Sequence, residues 1–185
     1  MIKLAEKIID TDDVNNLKEW LDKSDVYTKG VETVAFEKEW SKWLGCKYSV
    51  FVNSGSSANL LLMLGMLYSK KLKNIKVIVP AVSWVTTVAP AIQLGFGIAS
   101  TFSFFYGHQM STIEGGMVST DDRELYNILL SVRSHGWLRD NEEYFRERHF
   151  ADYHVVDKFS HKYFFAYPGL NVRNTDLSAV LGRSQ

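Results

Sequence analysis

Three stretches of this chain carry residue types that chemistry could use. Thr101 to Gly116 reads T-F-S-F-F-Y-G-H-Q-M-S-T-I-E-G-G. It is an aromatic strand with Ser103 between two phenylalanines, a polar turn around His108, and then Glu114 and two glycines that open a further strand. A surface hairpin with an ordinary histidine also accounts for this segment taken alone. Asn53-Ser54-Gly55-Ser56-Ser57 follows a short apolar strand, Tyr48 to Val52, and leads straight into a long apolar helix. A helix start offers unpaired backbone N–H groups and a partial positive charge, and small residues let a phosphate come close. Simple capping by Ser56 or Ser57 is the alternative use of these hydroxyls. Trp84 stands just past a second strand, Lys76 to Pro80. In open α/β sheets ligands bind outside the carboxyl ends of the strands. An indole there could stack on a planar ring, with core packing as the alternative.

The elements that would position these residues are legible in the hydrophobic pattern. Asp10 to Asp13 offers N-caps for a helix whose inner face is Val14, Leu17, Trp20 and Leu21. A second helix carries Phe36, Trp40, Trp43 and Leu44 and stops at Gly45. The helix from Ala58 to Ser69 is apolar nearly all round, which predicts burial. Lys76 to Pro80 is continuously apolar, the pattern of a parallel-sheet strand. A helix from Ser83 to Leu94 follows, which Pro90 should start late or kink. After a strand at Gly115 to Ser119, Asp121 or Asp122 caps a helix with Leu125, Ile128, Leu129 and Val132 inside. Residues 138–162 show no clear period. Tyr163 to Tyr167 reads as extended, and Thr175 or Asp176 caps a final helix with Leu177, Val180 and Leu181. His149, His154 and His161 lie five and seven residues apart, unlike the close pairs typical of metal ligands, so no metal site is expected.

Composition narrows the function classes. The 185 residues are 46% hydrophobic, enough for one domain with a real core. Lys+Arg and Asp+Glu are both 21, so nothing suggests a general nucleic-acid binder and any anion site must be local. The single cysteine, Cys46, cannot form an internal disulfide, which favours a reducing compartment. No apolar run reaches the roughly 20 residues a membrane span needs, and the N-terminus does not read as a signal peptide. The expectation is a soluble cytoplasmic protein with no membrane partner.

In their order these pieces resemble the DegT/DnrJ/StrS family, vitamin-B6-dependent enzymes that act on nucleotide-linked keto-sugars. The resemblance covers two blocks, about 24–95 and 101–185. It rests on Gly30 with Phe36-Glu37 and Leu44-Gly45, on Val52 to Asn59, on Val79-Pro80 with Ser83-Trp84, on Phe102-Ser103-Phe104, on Glu114-Gly115-Gly116, and on Gly169 to Arg173 with Thr175-Asp176. It implies an α/β fold: an abbreviated fold type I, aspartate-aminotransferase-like large domain, with a mostly parallel sheet flanked by helices. It also implies pyridoxal or pyridoxamine 5′-phosphate as cofactor. Gly55, Ser56 and Ser57 resemble the loop that holds the cofactor phosphate, and Ser103 the strand serine that reaches the same phosphate. Trp84 matches the aromatic that stacks on the ring. Asn171 matches a residue often offered to the neighbouring subunit's cofactor, which implies a homodimer.

His108 stands where most of the family has the lysine that bonds the cofactor. Imidazole cannot make that bond. The variant resembles the branch of 3-dehydratases of 4-keto-6-deoxy nucleotide sugars, which use pyridoxamine phosphate without a covalent link and serve 3-deoxysugar synthesis for lipopolysaccharide O-antigens. With an unperturbed pKa of roughly 6.5, histidine can take and give a proton near neutrality. A sugar aminotransferase and a non-catalytic remnant that binds cofactor or a full-length partner are the alternatives. The remnant is motivated by two departures from the family. Phe96 to Ser100 stands where further strands and helices are expected, including the acidic partner of the pyridine nitrogen. The chain also closes at Gln185 without the small C-terminal domain. The expectation is one incomplete large domain over 1–185 with an internal deletion near 96–100.

Overall fold

The computed structural model describes residues 8–70, 85–94, 101–103 and 111–185. The strand expected at Lys76 to Pro80, Trp84, the join at Phe96 to Ser100 and His108 lie outside these residues.

Three strands form one sheet. β1 is Tyr48–Val52, β2 is Thr101–Ser103 and β3 is Gly116–Thr120, in the order β1-β3-β2. Val52 faces Gly116 across β1 and β3, and Ser103 faces Gly116 across β2 and β3. Both pairings are antiparallel, which corrects the mostly parallel sheet expected from the sequence, as far as the described residues go. β1 and β2 do share one direction, because helices intervene between them. β3 enters from the Glu114-Gly115 turn and runs back along β2.

Eight α-helices are described. α1 is Thr11–Lys23 and α2 is Val31–Leu44; α3 is Gly55–Ser69 and α4 is Val85–Leu94. α5 is Arg123–Arg133, α6 Glu143–Asp152, α7 Lys158–Lys162 and α8 Asp176–Ser184, with a 3-10 turn at Leu138–Asp140 before α6. Asp10 caps α1 in a capping box with Asp13. The apolar face expected on α1 is only partly covered: Val14 and Leu21 are exposed, and Asp13 is the buried residue, bonded to the Ser184 hydroxyl of α8. α2 buries Phe36 and Trp40 but leaves Trp43 75% exposed. It ends at Gly45, whose φ of 80° is the left-handed conformation that glycine adopts without strain.

The main core lies between the sheet, α3 and α5. Val50, Val52, Ala58, Leu61, Leu62, Val118, Leu125 and Leu129 belong to it. α3 approaches α5 closely at Gly65, where a Cβ would stand 2.8 Å from a Leu129 methyl. A second cluster joins Phe36, Trp40, Phe51, Met117 and Ala179, bringing α2 and α8 onto the other face of β1 and β3. Asp122 caps α5 and Thr175 caps α8. Asp176 is turned onto a different helix: its carboxylate accepts from the Gly30, Glu32 and Thr33 amides and the Thr33 hydroxyl at the start of α2.

Pro90 lies inside α4. A proline has no N–H, so the carbonyl four residues earlier loses its helical donor. That carbonyl belongs to Thr86, and the Asn59 side-chain amide of α3 donates to it at 3.0 Å. The break in α4's own ladder is thus where α3 and α4 are tied. Among the described residues no helix is long and apolar enough to cross a membrane.

Candidate functional site

The site grows out of the end of β1. Ser54 has extended backbone angles, φ −164° and ψ 162°, and its hydroxyl accepts from the Ser57 amide. The N-cap of α3 is therefore Ser54, not Ser56 or Ser57. Ser54 Oγ also donates to Ser57 Oγ at 3.0 Å, while Ser56 Oγ points across to Thr86 Oγ1 at 3.0 Å. The first-turn amides of Gly55 and Ser56 have no intrahelical acceptor, because a helix supplies none to its opening residues. The start of α4 stands beside them through the Ser56–Thr86 and Asn59–Thr86 bonds.

Two glycines make the close fit possible. A Cβ on Gly55 would stand 2.5 Å from Ser103 Cβ and 2.8 Å from Ser103 Oγ. A Cβ on Gly116 would stand 2.3 Å from the Ser54 carbonyl oxygen and 2.8 Å from the Gly55 nitrogen. The ends of β2 and β3 are thereby pressed against the α3 start. The structure thus gathers Gly55, Ser56, Ser57 and Ser103 at one spot: small residues, hydroxyls and helix-start amides, a donor set suited to an anion.

Asn171 is placed differently. It is exposed, on a segment that runs along the outer side of β1, with Val52 bridged to Arg173 and the Asn53 amide donating to the Val172 carbonyl at 3.0 Å. Its Oδ1 accepts from Arg173 Nε at 3.2 Å and Nη2 at 3.0 Å. The carboxamide is thus fixed by its own segment, outside the turn that holds the serines. Trp84 and His108 lie outside the described residues.

Several supporting residues carry no local signature. Buried Asn174 donates to the Val52 and Glu114 carbonyls, joining β1 to the approach of β3. Buried Glu37 and Arg133 form an ion pair at 2.5 Å behind Phe51. Glu37 and Gly116 do stand in stretches that carry the family resemblance, and that was the available signal for them. Among the described residues, no three His, Cys, Asp or Glu side chains gather closely enough to hold a metal ion. A separate open cleft of 580 Å³ lies around α7, lined by Val156, Phe159 and Tyr163 among others, and shares no residue with the serine turn.

Among the described residues, a three-stranded antiparallel sheet flanked by helices, with a Gly-Ser-Ser helix start closed by a second serine strand, is an α/β arrangement, and its solved neighbours place it in the fold type I aminotransferase group. The family model for DegT/DnrJ/EryC1/StrS aminotransferases matches residues 7–98 and 95–185, and the chain belongs to that family. A GDP-4-keto-6-deoxy-D-mannose 3-dehydratase from Yersinia pseudotuberculosis is 30% identical over 261 residues, covering 98% of this chain and 65% of the relative. A protein of the same name from Escherichia coli O55:H7 is 28% identical, covering 88% of this chain and 61% of the relative. A solved structure of an E. coli GDP-4-keto-6-deoxy-D-mannose-3-dehydratase with bound hydrated PLP superposes with a TM-score of 0.81 at 27% identity, over 99% of this chain and 67% of that one. The chain thus spans about two thirds of the length of these relatives. The Yersinia alignment runs over 261 residues against a chain of 185, so the relative carries residues with no counterpart here.

Proposed function

We propose that this chain binds pyridoxal or pyridoxamine 5′-phosphate at the Ser54 to Ser57 turn and serves as a 3-dehydratase of a nucleotide-linked 4-keto-6-deoxy sugar. The observation that carries the reading is the cradle made by Gly55, Gly116 and Ser103 around the start of α3. Its donor set fits a phosphate monoester. The Gly55 and Ser56 amides, the Ser56 and Ser57 hydroxyls and Ser103 would hold the phosphate, aided by the partial positive charge of the helix start. Trp84 would cover one face of the ring. His108 would move the proton at the cofactor methylene, a task for a group that titrates near neutrality. When bound, the cofactor supplies the amine and the electron sink. The names of the relatives favour a GDP-linked sugar and a place in deoxysugar assembly. A cytoplasmic homodimer, with Asn171 turned to the neighbouring subunit's cofactor, and a product destined for lipopolysaccharide O-antigen complete the proposal.

A second reading, a cofactor-binding chain without turnover, is favoured by the family match falling into two segments that meet at residues 95–98. In that reading the chain is one incomplete large domain with an internal deletion at the join, where no acidic residue is present to keep the pyridine nitrogen protonated. A sugar aminotransferase is favoured less, because position 108 holds no lysine.

Titration with pyridoxamine phosphate, followed by absorbance and thermal denaturation, tests both readings. Saturation at about 100 times Kd should stabilise the chain by about 2.7 kcal/mol. No spectral change and no stabilisation at millimolar cofactor would sink them together. If cofactor binds, His108→Asn should abolish sugar 3-deoxygenation while leaving binding largely intact. Binding without turnover in the unmodified chain would select the second reading.

A further inference from the structure

Behind the serine turn lies a charged pair that an apolar core does not need. Glu37 on α2 is 7% exposed and Arg133 at the end of α5 is fully buried. Glu37 Oε1 accepts from the Phe51 amide at 2.8 Å and from Arg133 Nη1 at 2.5 Å. Arg133 Nη1 also donates to the Phe51 carbonyl at 3.0 Å. Both backbone groups of one β1 residue are thus held by side chains, on the side of β1 away from β3. Phe51 stands three residues before the Ser54 cap.

The backbone of the same arginine holds the other half of the site. The Arg133 carbonyl accepts from the Val172 amide at 3.1 Å, and the preceding Val132 carbonyl accepts from the Leu170 amide at 2.7 Å. The next residue, Ser134, is bridged to Asn171. Arg133 therefore reaches β1 at Phe51, the strand that leads into the serine turn, through its side chain and the Asn171 segment through its main chain. The guanidinium, with a carboxylate opposite it, makes the first connection; the main-chain carbonyl of the same residue makes the second. Nε and Nη2 of Arg133 have no hydrogen-bond partner among the described residues, so Glu37 carries the compensation of its charge. Such a pair is a poor choice for stability alone, since well-packed apolar side chains often do as well or better. A polar pair does fix one register.

We infer that Glu37 and Arg133 are positioning residues that set the serine turn and the Asn171 segment at a fixed spacing; the inference rests on the proposed phosphate-binding role of that turn. Neither side chain touches the anion. Their effect is carried by the Phe51 backbone on one side and the Val172 amide on the other. A purely structural pair would stabilise the fold without coupling the two halves.

The test changes reach while keeping charge. Glu37→Asp and Arg133→Lys are examined in the cofactor-free chain by the amide resonances of Gly55, Ser56, Asn171 and Val172, and then by affinity for pyridoxamine phosphate. In both variants the two pairs of amides should shift together. Affinity should fall by about tenfold or more, the scale on which misaligned hydrogen bonds to charged groups are felt. Glu37→Gln keeps the length and the oxygen acceptor but leaves the buried Arg133 charge uncompensated, so it should lower the melting temperature while affinity stays within about threefold of the unmodified chain. It also serves if either shortened variant fails to fold, because in it the Gly55 and Asn171 amides should keep their positions. Unmoved site amides and unchanged affinity in Glu37→Asp and Arg133→Lys, whatever the loss in melting temperature, would overturn the inference. So would large site shifts in Glu37→Gln. If the unmodified chain binds no pyridoxamine phosphate, the functional reading fails, and the amide shifts still decide whether the pair couples the two segments.

Discussion

Ser54 and Ser56 are two residues apart and have different tasks. The Ser54 hydroxyl takes the Ser57 amide and closes the helix start, whereas the Ser56 hydroxyl reaches Thr86 at the surface. Ser54→Ala should therefore cost about 1 kcal/mol of stability in urea denaturation, the usual loss for an N-cap. Ser56→Ala should stay within about 0.5 kcal/mol, as surface changes do, yet weaken pyridoxamine phosphate binding. Equal destabilisation by the two substitutions would show that the cap has been assigned to the wrong serine. In the sequence these hydroxyls are interchangeable, because which one caps depends on where the chain leaves β1 in extended form. The same holds for Thr175 and Asp176. Both are good caps by type, and only the arrival of α2 from elsewhere in the chain gives Asp176 its three amide donors. The small-residue cluster at Gly55 to Ser57 was legible because its chemistry is local. Its contact with Ser103 depends on strand order, so it was legible only through the family resemblance and not from local pattern.

Among the elements, the α3–α4 tie gives a prediction that reverses an ordinary expectation. Pro90→Ala would restore an amide able to bond the Thr86 carbonyl, in competition with Asn59. Asn59→Ala should cost about 1 kcal/mol in the unmodified chain, a typical hydrogen bond, and clearly less in the Pro90→Ala background. A double-mutant cycle by thermal denaturation measures the difference; strictly additive losses would remove Pro90 from the arrangement. Periodicity found α5, whose apolar stripe is buried, and a continuous apolar run found α3, which buries one face. It did not find α6, whose buried residues are Phe145 and His149 alone, because two positions make no stripe. His149 lies there buried, between the Phe145 carbonyl and the Tyr167 hydroxyl. On α1 the pattern was present but the burial was not, since α8 meets α1 near Asp13 and leaves Val14 and Leu21 exposed.

Across the whole molecule, alkaline pH offers a test of packing. Burial pushes the Tyr126 phenol from 10.0 up to about 12, with the nearby Glu37 carboxylate adding to the effect. Burial likewise pushes the Tyr167 phenol from 10.0 up to about 12. Both folded values lie above the unfolded one, so the stabilisation is complete below pH 10 and is lost as pH rises towards 12. Urea midpoints should hold up to pH 10 and fall through that window, and Tyr126→Phe should flatten part of the fall. A phenolate absorbance titration completed with an apparent pKa near 10.0 for every tyrosine would contradict the burial of both rings. The family and fold class were legible because the motif order survives in the chain. The direction of β3 was not, because a five-residue strand such as Gly116–Thr120 reads the same in either orientation.

The sheet order has a consequence for synthesis. Val52 finds its described strand partner at Gly116, and α1 and α2 find theirs in α8. On a ribosome adding about 5–20 residues per second, β1 and its helices would wait for several seconds with one edge open and Phe36, Trp40 and Phe51 uncovered. The first half of the chain thus stays uncovered until β3 and then α8 arrive to pack on it.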